Sequence, residues 1–246
     1  MDETIPAIDI LGVRLATLTP RAALETAERL YDSEKPAFIA HVNAHTLNLA
    51  YEDPSYRDVL ASAGLVLNDG KGVMLGARLL GGAFPADLNG NFFTPLLLRR
   101  AAQRGWPVFL YGARPGIAAR AAEVLRSGIA GLQIAGVMDG YERDRERVLG
   151  AIRRSGAGLL LVALGNPLQE RWLAANLAAC GARLGSGVGA FFDFQAGEVA
   201  RAPEWMNRLG LEWVYRLGRE PRRMWRRYVL GNPLFLARVL RQRRAR

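Results

Sequence analysis

The sequence predicts an α/β fold: a Rossmann-like, mainly parallel sheet with helices on both faces, plus a helical C-terminal appendage rich in Arg and Trp. Two observations predict the sheet. Short apolar runs recur without the alternation of a half-exposed strand, and a glycine- or asparagine-containing loop and a helical pattern follow each run. The appendage is predicted because aromatic residues are interleaved with arginines after residue 200. We therefore divide the chain into a core, residues 1–200, and an appendage, residues 201–246.

The elements of the first half begin with a hairpin. Within residues 1–20, alternating apolar positions such as Ile8 and Ile10 predict two short strands. Thr19-Pro20 then predicts a helix start, because Pro is favoured at the first helical position. The remaining elements predicted before residue 106 are strands at 37–42 and 65–67 and helices at 20–30, 44–50, 55–62, 73–80 and 91–103.

The second half repeats a strand, a loop and a helix more regularly. Its predicted strands lie at 108–111, 132–137, 159–164 and 184–188, and its predicted helices at 117–125, 142–153 and 168–179. In the appendage, Pro221 and Asn232-Pro233 are predicted to break the chain into short amphipathic helices. Apolar and aromatic residues would occupy one side of these helices and guanidinium groups the other.

One predicted strand ends in a carboxylate. The run at 65–67 leads into Asn68-Asp69-Gly70-Lys71-Gly72. Ligands of α/β domains bind at the carboxyl ends of the strands, and the two glycines would let the backbone turn and a ligand approach closely. Taken alone, the stretch is more simply explained as an Asp-Gly turn. Whether Asp69 is a reacting group therefore depends on the rest of the chain.

Two further loops carry candidate binding groups. Gly112-Ala113-Arg114-Pro115-Gly116 is similar to a turn that cradles a phosphate before a helix, although it is not G-x-G-x-x-G and Pro115 lacks an amide donor. In Gly165-Asn166-Pro167-Leu168-Gln169-Glu170, Asn166 begins a helix and Gln169 and Glu170 lie in its first turn. These residues suit ordinary helix capping, and they could equally bind a sugar or the edge of a uracil ring.

The composition restricts the class of protein. His41 and His45 are the only histidines, so a zinc site would need carboxylates from elsewhere, and we expect no metal or cofactor. A single cysteine, Cys180, excludes an intrachain disulfide and fits a reducing compartment. We expect no signal peptide, and the apolar runs are too short to span a bilayer.

The excess positive charge lies in the appendage. The net charge is +10, and residues 201–246 contain 13 arginines and three glutamates, which account for all of it. Such a segment is expected to meet a membrane surface, a nucleic acid or a diphosphate. The densest cluster consists of Arg216, Arg219, Arg222, Arg223, Arg226 and Arg227.

Taken together, these motifs resemble the WecG/TagA/CpsF family of bacterial glycosyltransferases over nearly the whole chain. The matching blocks of the core are Asn43, Asn68-Asp69-Gly70-x-Gly72, Val108-Phe-Leu-Tyr-Gly112-x-x-Pro-Gly116, Asp139-Gly140-Tyr141, Val162-x-Leu-Gly-Asn-Pro-x-Gln-Glu170 and Gly187-Val-Gly-x-Phe-x-Asp193-Phe. Those of the appendage are Arg201-Ala-Pro-x-Trp205, Leu211-Glu-Trp213-x-Tyr-Arg216 and Glu220-Pro221-x-Arg223.

The resemblance implies an inverting, metal-independent transfer of a hexose from a UDP-sugar to a polyprenyl-diphosphate-linked sugar. It implies action at the cytoplasmic face of the bacterial membrane, by a peripheral protein that binds anionic lipids, and it is compatible with a homo-oligomer. Asp69 matches the general base, and Arg216, Arg223 and Arg226 match arginines that stabilise the leaving diphosphate. The candidate substrate-binding residues are His41, Asn43, Asn89, Gly112, Arg114, Tyr141, Asn166, Gln169 and Glu170.

Two departures from the family pattern bear on which sugar is transferred. His41 stands where the family often has Thr, and Asp87-Leu88-Asn89-Gly90-Asn91-Phe92 stands where an Arg often precedes a Gly-Ser/Thr-Asp block. These variants are more similar to the branch that builds xanthan-type exopolysaccharide, which suggests UDP-glucose as the donor and a glucosyl diphosphate lipid as the acceptor. The alternative within the family is UDP-N-acetylmannosamine or UDP-N-acetylmannosaminuronate.

Two hypotheses from other classes compete with this one. A nucleic-acid-binding module could use the aromatic and basic appendage as a stacking and phosphate surface, but it leaves the Asp69 loop unexplained and we expect no nucleic-acid partner. A nicotinamide-dependent oxidoreductase is disfavoured because the glycine fingerprint is broken and no acidic residue after it is placed so that it could hold a ribose.

Overall fold

A six-stranded parallel sheet forms the centre of the protein. The computed structural model describes residues 4–199, 206, 212–219 and 225–245. The strands of the sheet are β3 (Ala37–Val42), β4 (Leu65–Asn68), β5 (Val108–Gly112), β6 (Ile134–Met138), β7 (Leu159–Ala163) and β8 (Leu184–Gly187). Their order is β4-β3-β8-β7-β5-β6, and every neighbouring pair is parallel. The predicted α/β sheet is therefore confirmed.

An antiparallel hairpin precedes the sheet, as expected. It consists of β1 (Ala7–Ile10) and β2 (Val13–Ala16). The helices of the core are α1 (Pro20–Asp32), α2 (Ala44–Glu52), α3 (Pro54–Ala61), α4 (Lys71–Leu79), α5 (Gly90–Arg104), α6 (Ile117–Gly128), α7 (Arg145–Ser155), α8 (Leu168–Cys180) and α9 (Phe191–Gln195).

Both faces of the sheet are buried, which explains why the strands lack alternation. In β7, Leu160 and Val162 belong to one hydrophobic cluster, whereas Leu159 and Leu161 belong to the cluster on the opposite face. The first cluster is completed by α2, α3, α7 and α8, and the second by α1, α5, α6 and α9. Helices on two faces leave the carboxyl edge of the sheet free to form a site.

Side-chain caps fix several of the helix starts. Thr19 caps α1 by accepting a hydrogen bond from the backbone of Ala22, and Asp53 caps α3 in the same way. The seventh helix begins at Arg145 rather than at the predicted residue 142. The reason is that the Asp144 carboxylate accepts from the backbone N–H groups of Glu146 and Arg147 and so sets the first turn there.

The appendage ends in a long helix, so one prediction about it is wrong. The described helices are α10 (Glu212–Arg219), a π-helical turn (Arg226–Leu230) and α11 (Gly231–Arg244). Asn232-Pro233 does not break the chain: Pro233 falls in the first turn of α11, and the helical backbone continues into that turn from the π-helical turn through Leu230 and Gly231, both in the αR region. Pro221 and residue 200 lie outside the described residues, so the break at the first and the domain boundary at the second stay predictions.

The last helix packs onto the core. Phe235 and Val239 are buried in the first hydrophobic cluster, and a Cβ added at Gly76 of α4 would lie 2.8 Å from Cζ of Phe235. Arg238 donates to the side-chain oxygen of Asn48 at 3.0 Å and lies over the ring of Tyr51. Within the described ranges, no helix has the length and apolar character needed to cross a membrane.

Candidate active site

A large cleft lies at the carboxyl edge of the sheet. Its volume is about 1620 Å³, and loops that follow all six strands contribute to its wall. Such an edge is where α/β domains bind their ligands. Of the residues proposed from the sequence, those that line the cleft are His41, Asn43, Asp69, Asn89, Arg114, Tyr141, Asn166, Gln169 and Arg226.

Asp69 is held in the cleft by an amide from the neighbouring strand. Nδ2 of Asn43 donates to Oδ2 of Asp69 at 3.1 Å, and Oδ1 of Asn43 accepts from the backbone N–H of Thr46 at 3.1 Å, which caps α2. This cap fixes the amide orientation of Asn43. Asp69 lines the cleft, and in the described part of the chain its Oδ1 has no hydrogen-bond partner, so this oxygen is available to take a proton from a ligand.

A second carboxylate holds the turn after Asp69. The backbone N–H of Gly70 donates to Oδ1 of Asp87 at 2.9 Å, and Gly70 has a φ of 92°, which favours glycine. Burial raises the pKa of the Asp87 carboxyl, and the charge of Asp69 adds to this effect. The sequence analysis noted Asp87 only as a departure from the family pattern. Asp87 lies beside the candidate base Asp69 only because the fold brings together the loop after β4 and the loop before α5.

His41 presents an unpaired nitrogen in the same region. The residue is only 4% exposed, and its Nδ1 lies 3.0 Å from the carbonyl oxygen of Leu88. Because a carbonyl only accepts, Nδ1 carries the hydrogen. Burial lowers the pKa of His41, an effect that the charge of Asp69 opposes. The imidazole is therefore neutral, and Nε2 is a buried acceptor that has no partner in the described ranges.

The loop after β5 is shaped by close backbone approach. Gly112 has a φ of 126°, and a Cβ there would lie 2.5 Å from the carbonyl oxygen of Ala163. Gly112 is buried and does not line the cleft, so it shapes the turn rather than offering a side chain. The guanidinium of Arg114 contacts the carboxylate of Glu198 at 3.2 Å. Tyr141 is 66% exposed at the cleft wall.

A buried hydrogen-bond network supports the loop after β7. Glu170 is fully buried, and its carboxylate accepts from Asn166 at 2.6 Å, Gln169 at 2.8 Å and Tyr56 at 3.0 Å. Burial raises the pKa of Glu170, and these hydrogen bonds oppose the rise. Glu170 therefore lies beneath the cleft wall, whereas the sequence analysis placed it among the substrate-binding residues.

Asn89 caps a helix at the cleft. Its side chain accepts from the backbone N–H of Phe92 at 3.0 Å and so begins α5. The adjacent Gly90 brings the helix close to His41, since a Cβ there would lie 3.8 Å from its ring. Asn89 is thus both a structural cap and a polar group on the wall.

The appendage reaches the cleft through the π-helical turn. Arg226, Arg227, Tyr228 and Asn232 line the wall beside His45. Burial lowers the pKa of His45, and the charge of Arg227 lowers it further. Arg223 and the side chain of Arg216 lie outside the described residues, so their proposed roles stay predictions.

Several cleft residues were missed by the sequence analysis. They are Lys71, Asp87, Tyr111, Arg171, Trp172, Tyr228 and Asn232. Tyr111 and Trp172 form a tilted aromatic pair with ring centroids 5.0 Å apart. A usable signal existed for Trp172, which lies one helical turn after Gln169 and so on the same helix face. In the described ranges, no three His, Cys, Asp or Glu side chains are grouped so that they could hold a metal.

The comparisons with known proteins agree with the motifs. Residues 8–246 match the glycosyl transferase WecG/TagA/CpsF family. The chain is 36% identical over 214 residues to an N-acetylglucosaminyldiphosphoundecaprenol N-acetyl-beta-D-mannosaminyltransferase of Bacillus spizizenii, covering 87% of this chain and 82% of the relative. It is 34% identical over 241 residues to the protein of the same name from Bacillus subtilis, covering 98% and 91%.

These similarities decide between the classes of protein considered. Both relatives are named as sugar transferases, which favours an enzyme over a nucleic-acid-binding module or a nicotinamide-dependent oxidoreductase. The match includes both the core and the appendage. The chain therefore belongs to the WecG/TagA/CpsF family of glycosyltransferases.

Proposed function

We propose that this enzyme transfers an N-acetylmannosaminyl group from UDP to the sugar of an N-acetylglucosaminyl-diphosphate polyprenol. The observation that carries the proposal is the placement of Asp69, a carboxylate with one free oxygen in a large cleft, in a chain that covers 82% and 91% of its two relatives. The names of both relatives give this sugar and this kind of acceptor.

This donor differs from the UDP-glucose suggested by His41 and by Asn89-Gly90-Asn91. Those variants are single positions in the wall of the cleft, whereas the relatives match over 214 and 241 residues. The N-acetylmannosamine alternative is thus better supported than glucose, and the exopolysaccharide assignment is not retained.

The proposed chemistry is a single displacement in which Asp69 acts as general base. Oδ1 of Asp69 takes the proton of the acceptor hydroxyl while the hydroxyl oxygen bonds to the anomeric carbon of the donor. The bond from that carbon to the diphosphate oxygen breaks, and its electron pair leaves with UDP. Attack from the side opposite UDP inverts the anomeric carbon, so an α-linked donor would give the β-linkage found in the relatives' names.

Cationic groups at the cleft suit the leaving diphosphate. Arg226 and Arg227 lie at the wall, and guanidinium groups bind phosphate oxygens in a bidentate manner. We propose that they, together with Arg216 and Arg223, stabilise the charge that develops on UDP. Lys71 follows Asp69 by two residues and adds a further positive charge at the wall.

The acceptor's polyprenyl chain implies that the reaction takes place at a membrane surface. We propose that the protein binds the cytoplasmic face peripherally, through the excess arginines of the appendage. The same segment supplies the arginines of the cleft, so membrane contact and diphosphate binding would be coupled.

The test uses purified enzyme, a short-chain acceptor and a panel of UDP-sugars. We expect product from UDP-N-acetylmannosamine with the N-acetylglucosaminyl acceptor, and kcat lowered about 100-fold or more by Asp69→Asn, the usual size of a general-base contribution. Asp58→Asn is the matched control, because Asp58 is an exposed carboxylate on α3 outside the cleft. Product from UDP-glucose alone would overturn the donor assignment, and full activity of Asp69→Asn would overturn the assignment of the base.

A further inference from the structure

We infer that Glu170 is a positioning residue that fixes the orientation of the Asn166 amide, so that the Asn166 oxygen accepts a hydrogen bond from an N–H or O–H of the UDP-sugar. The inference also makes Gln169 a support for the neighbouring loop rather than a contact to the substrate. It rests on the proposed function in one respect, which is that the donor is a UDP-sugar.

The carboxylate of Glu170 determines which end of Asn166 faces the protein. Oε1 of Glu170 accepts from Nδ2 of Asn166 at 2.6 Å and from Nε2 of Gln169 at 2.8 Å, so the NH₂ group of Asn166 faces Glu170. The oxygen of the amide therefore lies on the other side. Asn166 is half-buried in the cleft wall, and in the described part of the chain its oxygen has no partner. A neutral amide or hydroxyl in place of Glu170 would not enforce this orientation.

The protein holds the Gln169 amide at both of its ends. Its Nε2 donates to Oε1 of Glu170 at 2.8 Å, and its Oε1 accepts from the backbone N–H of Gly189 at 3.0 Å. The residue is 2% exposed, and a Cβ at Gly187 would lie 2.8 Å from its Nε2. Gln169 thus acts through the loop after β8, which forms part of the wall, instead of reaching the substrate.

The network links two parts of the cleft wall, and the helix beneath them, to one buried group. Asn166 follows β7, Gly189 follows β8, and Tyr56 belongs to α3 beneath them. Tyr56 donates to the other carboxylate oxygen, Oε2, at 3.0 Å. Its hydroxyl therefore bonds a different carboxylate oxygen from the one that orients both amides, although it also interacts with the Asn166 side chain. This difference provides a control.

The experiment measures the binding of UDP and of UDP-N-acetylmannosamine without acceptor, by calorimetry, for single and double variants. We expect Glu170→Met, which keeps the volume but removes the acceptors, to weaken binding of the UDP-sugar about tenfold, the effect of losing one hydrogen bond. Glu170→Gln retains one acceptor and should fall between Glu170→Met and the wild type. Tyr56→Phe should weaken binding less than Glu170→Met does, because it leaves Oε1 of Glu170 in place to orient both amides, although both variants lower the melting temperature.

A double-mutant cycle distinguishes positioning from a general loss of structure. If Glu170 acts through Asn166, Glu170→Gln should weaken binding less than about twofold when Asn166→Ala is already present. Equal losses for UDP and UDP-sugar would place the contact on the nucleotide, and a loss for the UDP-sugar alone would place it on the sugar.

Three results would overturn the inference. The first is that Glu170→Met and Glu170→Gln both bind the two ligands as tightly as the wild type. The second is that the binding losses of Glu170→Gln and Asn166→Ala are fully additive in the double variant. The third is that Tyr56→Phe weakens binding as much as Glu170→Met does. A wild-type protein that binds neither ligand would instead overturn the proposed function, and the inference with it.

Discussion

At the scale of single residues, the two histidines make stability depend on pH. His41 and His45 both have a pKa below the ordinary 6.5, in each case mainly because of burial. Between the folded pKa and 6.5 the unfolded chain binds more protons than the folded one, so stability falls as pH is lowered through this range. His41, which is nearly inaccessible, should contribute the larger part.

We therefore expect His41→Gln to reduce the loss of stability on the acid side. Each buried neutral histidine can contribute up to about 1.4 kcal/mol per pH unit below pH 6.5. Urea unfolding of the wild type, His41→Gln and His45→Gln at pH 7.5, 6.5 and 5.5 would measure the slope, and His45→Gln should change it less. An unchanged slope in His41→Gln would contradict a neutral, buried His41.

Residue types alone did not distinguish side chains that line the cleft from buried side chains that only support them. Asp69, Asn43 and Asn166 were predicted to be at the site and do line the cleft. Glu170 was predicted beside them but is buried, because Tyr56, 114 residues earlier in the chain, covers it from α3. A short motif indicates which side chains lie near each other. Whether they are buried depends on the other segments of the chain that pack over them.

At the scale of elements, the last helix is part of the core and its loss should be costly. Phe235 is 1% exposed and lies against Gly76, where α4 has no side chain. Gln242 adds polar contacts to the hairpin, since it accepts from the backbone N–H of Leu11 and donates to Asp9, both at 2.9 Å. Such a helix unfolds together with the domain rather than before it.

We expect Phe235→Ala to lower the free energy of unfolding by about 3–5 kcal/mol, the usual cost of truncating a buried aromatic residue. Chemical denaturation followed by circular dichroism gives the value. Leu240→Ala, an exposed position of the same helix, is the control and should change stability by about 0.5 kcal/mol or less. Equal stability of Phe235→Ala and the wild type would show that the helix does not pack there in solution.

This packing also affects how the appendage should be tested. Deleting residues 201–246 would remove Phe235 and Val239 from the first hydrophobic cluster and expose their apolar neighbours. Loss of activity in such a deletion would therefore mix unfolding with the loss of arginines. Substitution of exposed charges is the sharper experiment.

At the scale of the whole molecule, the excess positive charge lies in one part of the chain, the appendage. The first 200 residues are neutral and the remainder carries the net charge of +10. Arg241, Arg243 and Arg244 are exposed at the end of α11, on a helix that is fixed to the core. A rigidly held cluster would orient the protein on an anionic bilayer.

Replacing Arg241, Arg243 and Arg244 together by Gln should weaken binding to anionic vesicles about 100-fold, because each basic group near such a surface contributes about 1 kcal/mol. Co-sedimentation with phosphatidylglycerol vesicles measures it, and added salt should weaken wild-type binding. The matched control replaces Arg99, Arg143 and Arg154, which are exposed on the core. An equal loss in both triple variants would mean that net charge, and not the position of the arginines, governs binding.

Local chemistry determined much of this protein. The apolar runs predicted the strands, Thr19-Pro20 predicted the start of α1, and the Asp69 loop was placed at the end of a strand. These features depend on neighbours within a few residues, because capping, turn geometry and periodicity are short-range effects.

The tertiary structure decided which of these groups could act together. Asn43 meets Asp69 across 26 residues, Asp87 holds the turn at Gly70, and α11 returns to pack on α4 beside the cleft. The order β4-β3-β8-β7-β5-β6 also follows from long-range packing. The sequence alone could not determine these contacts, because burial and strand order depend on segments far apart in the chain, and periodicity contains no information about which segments meet.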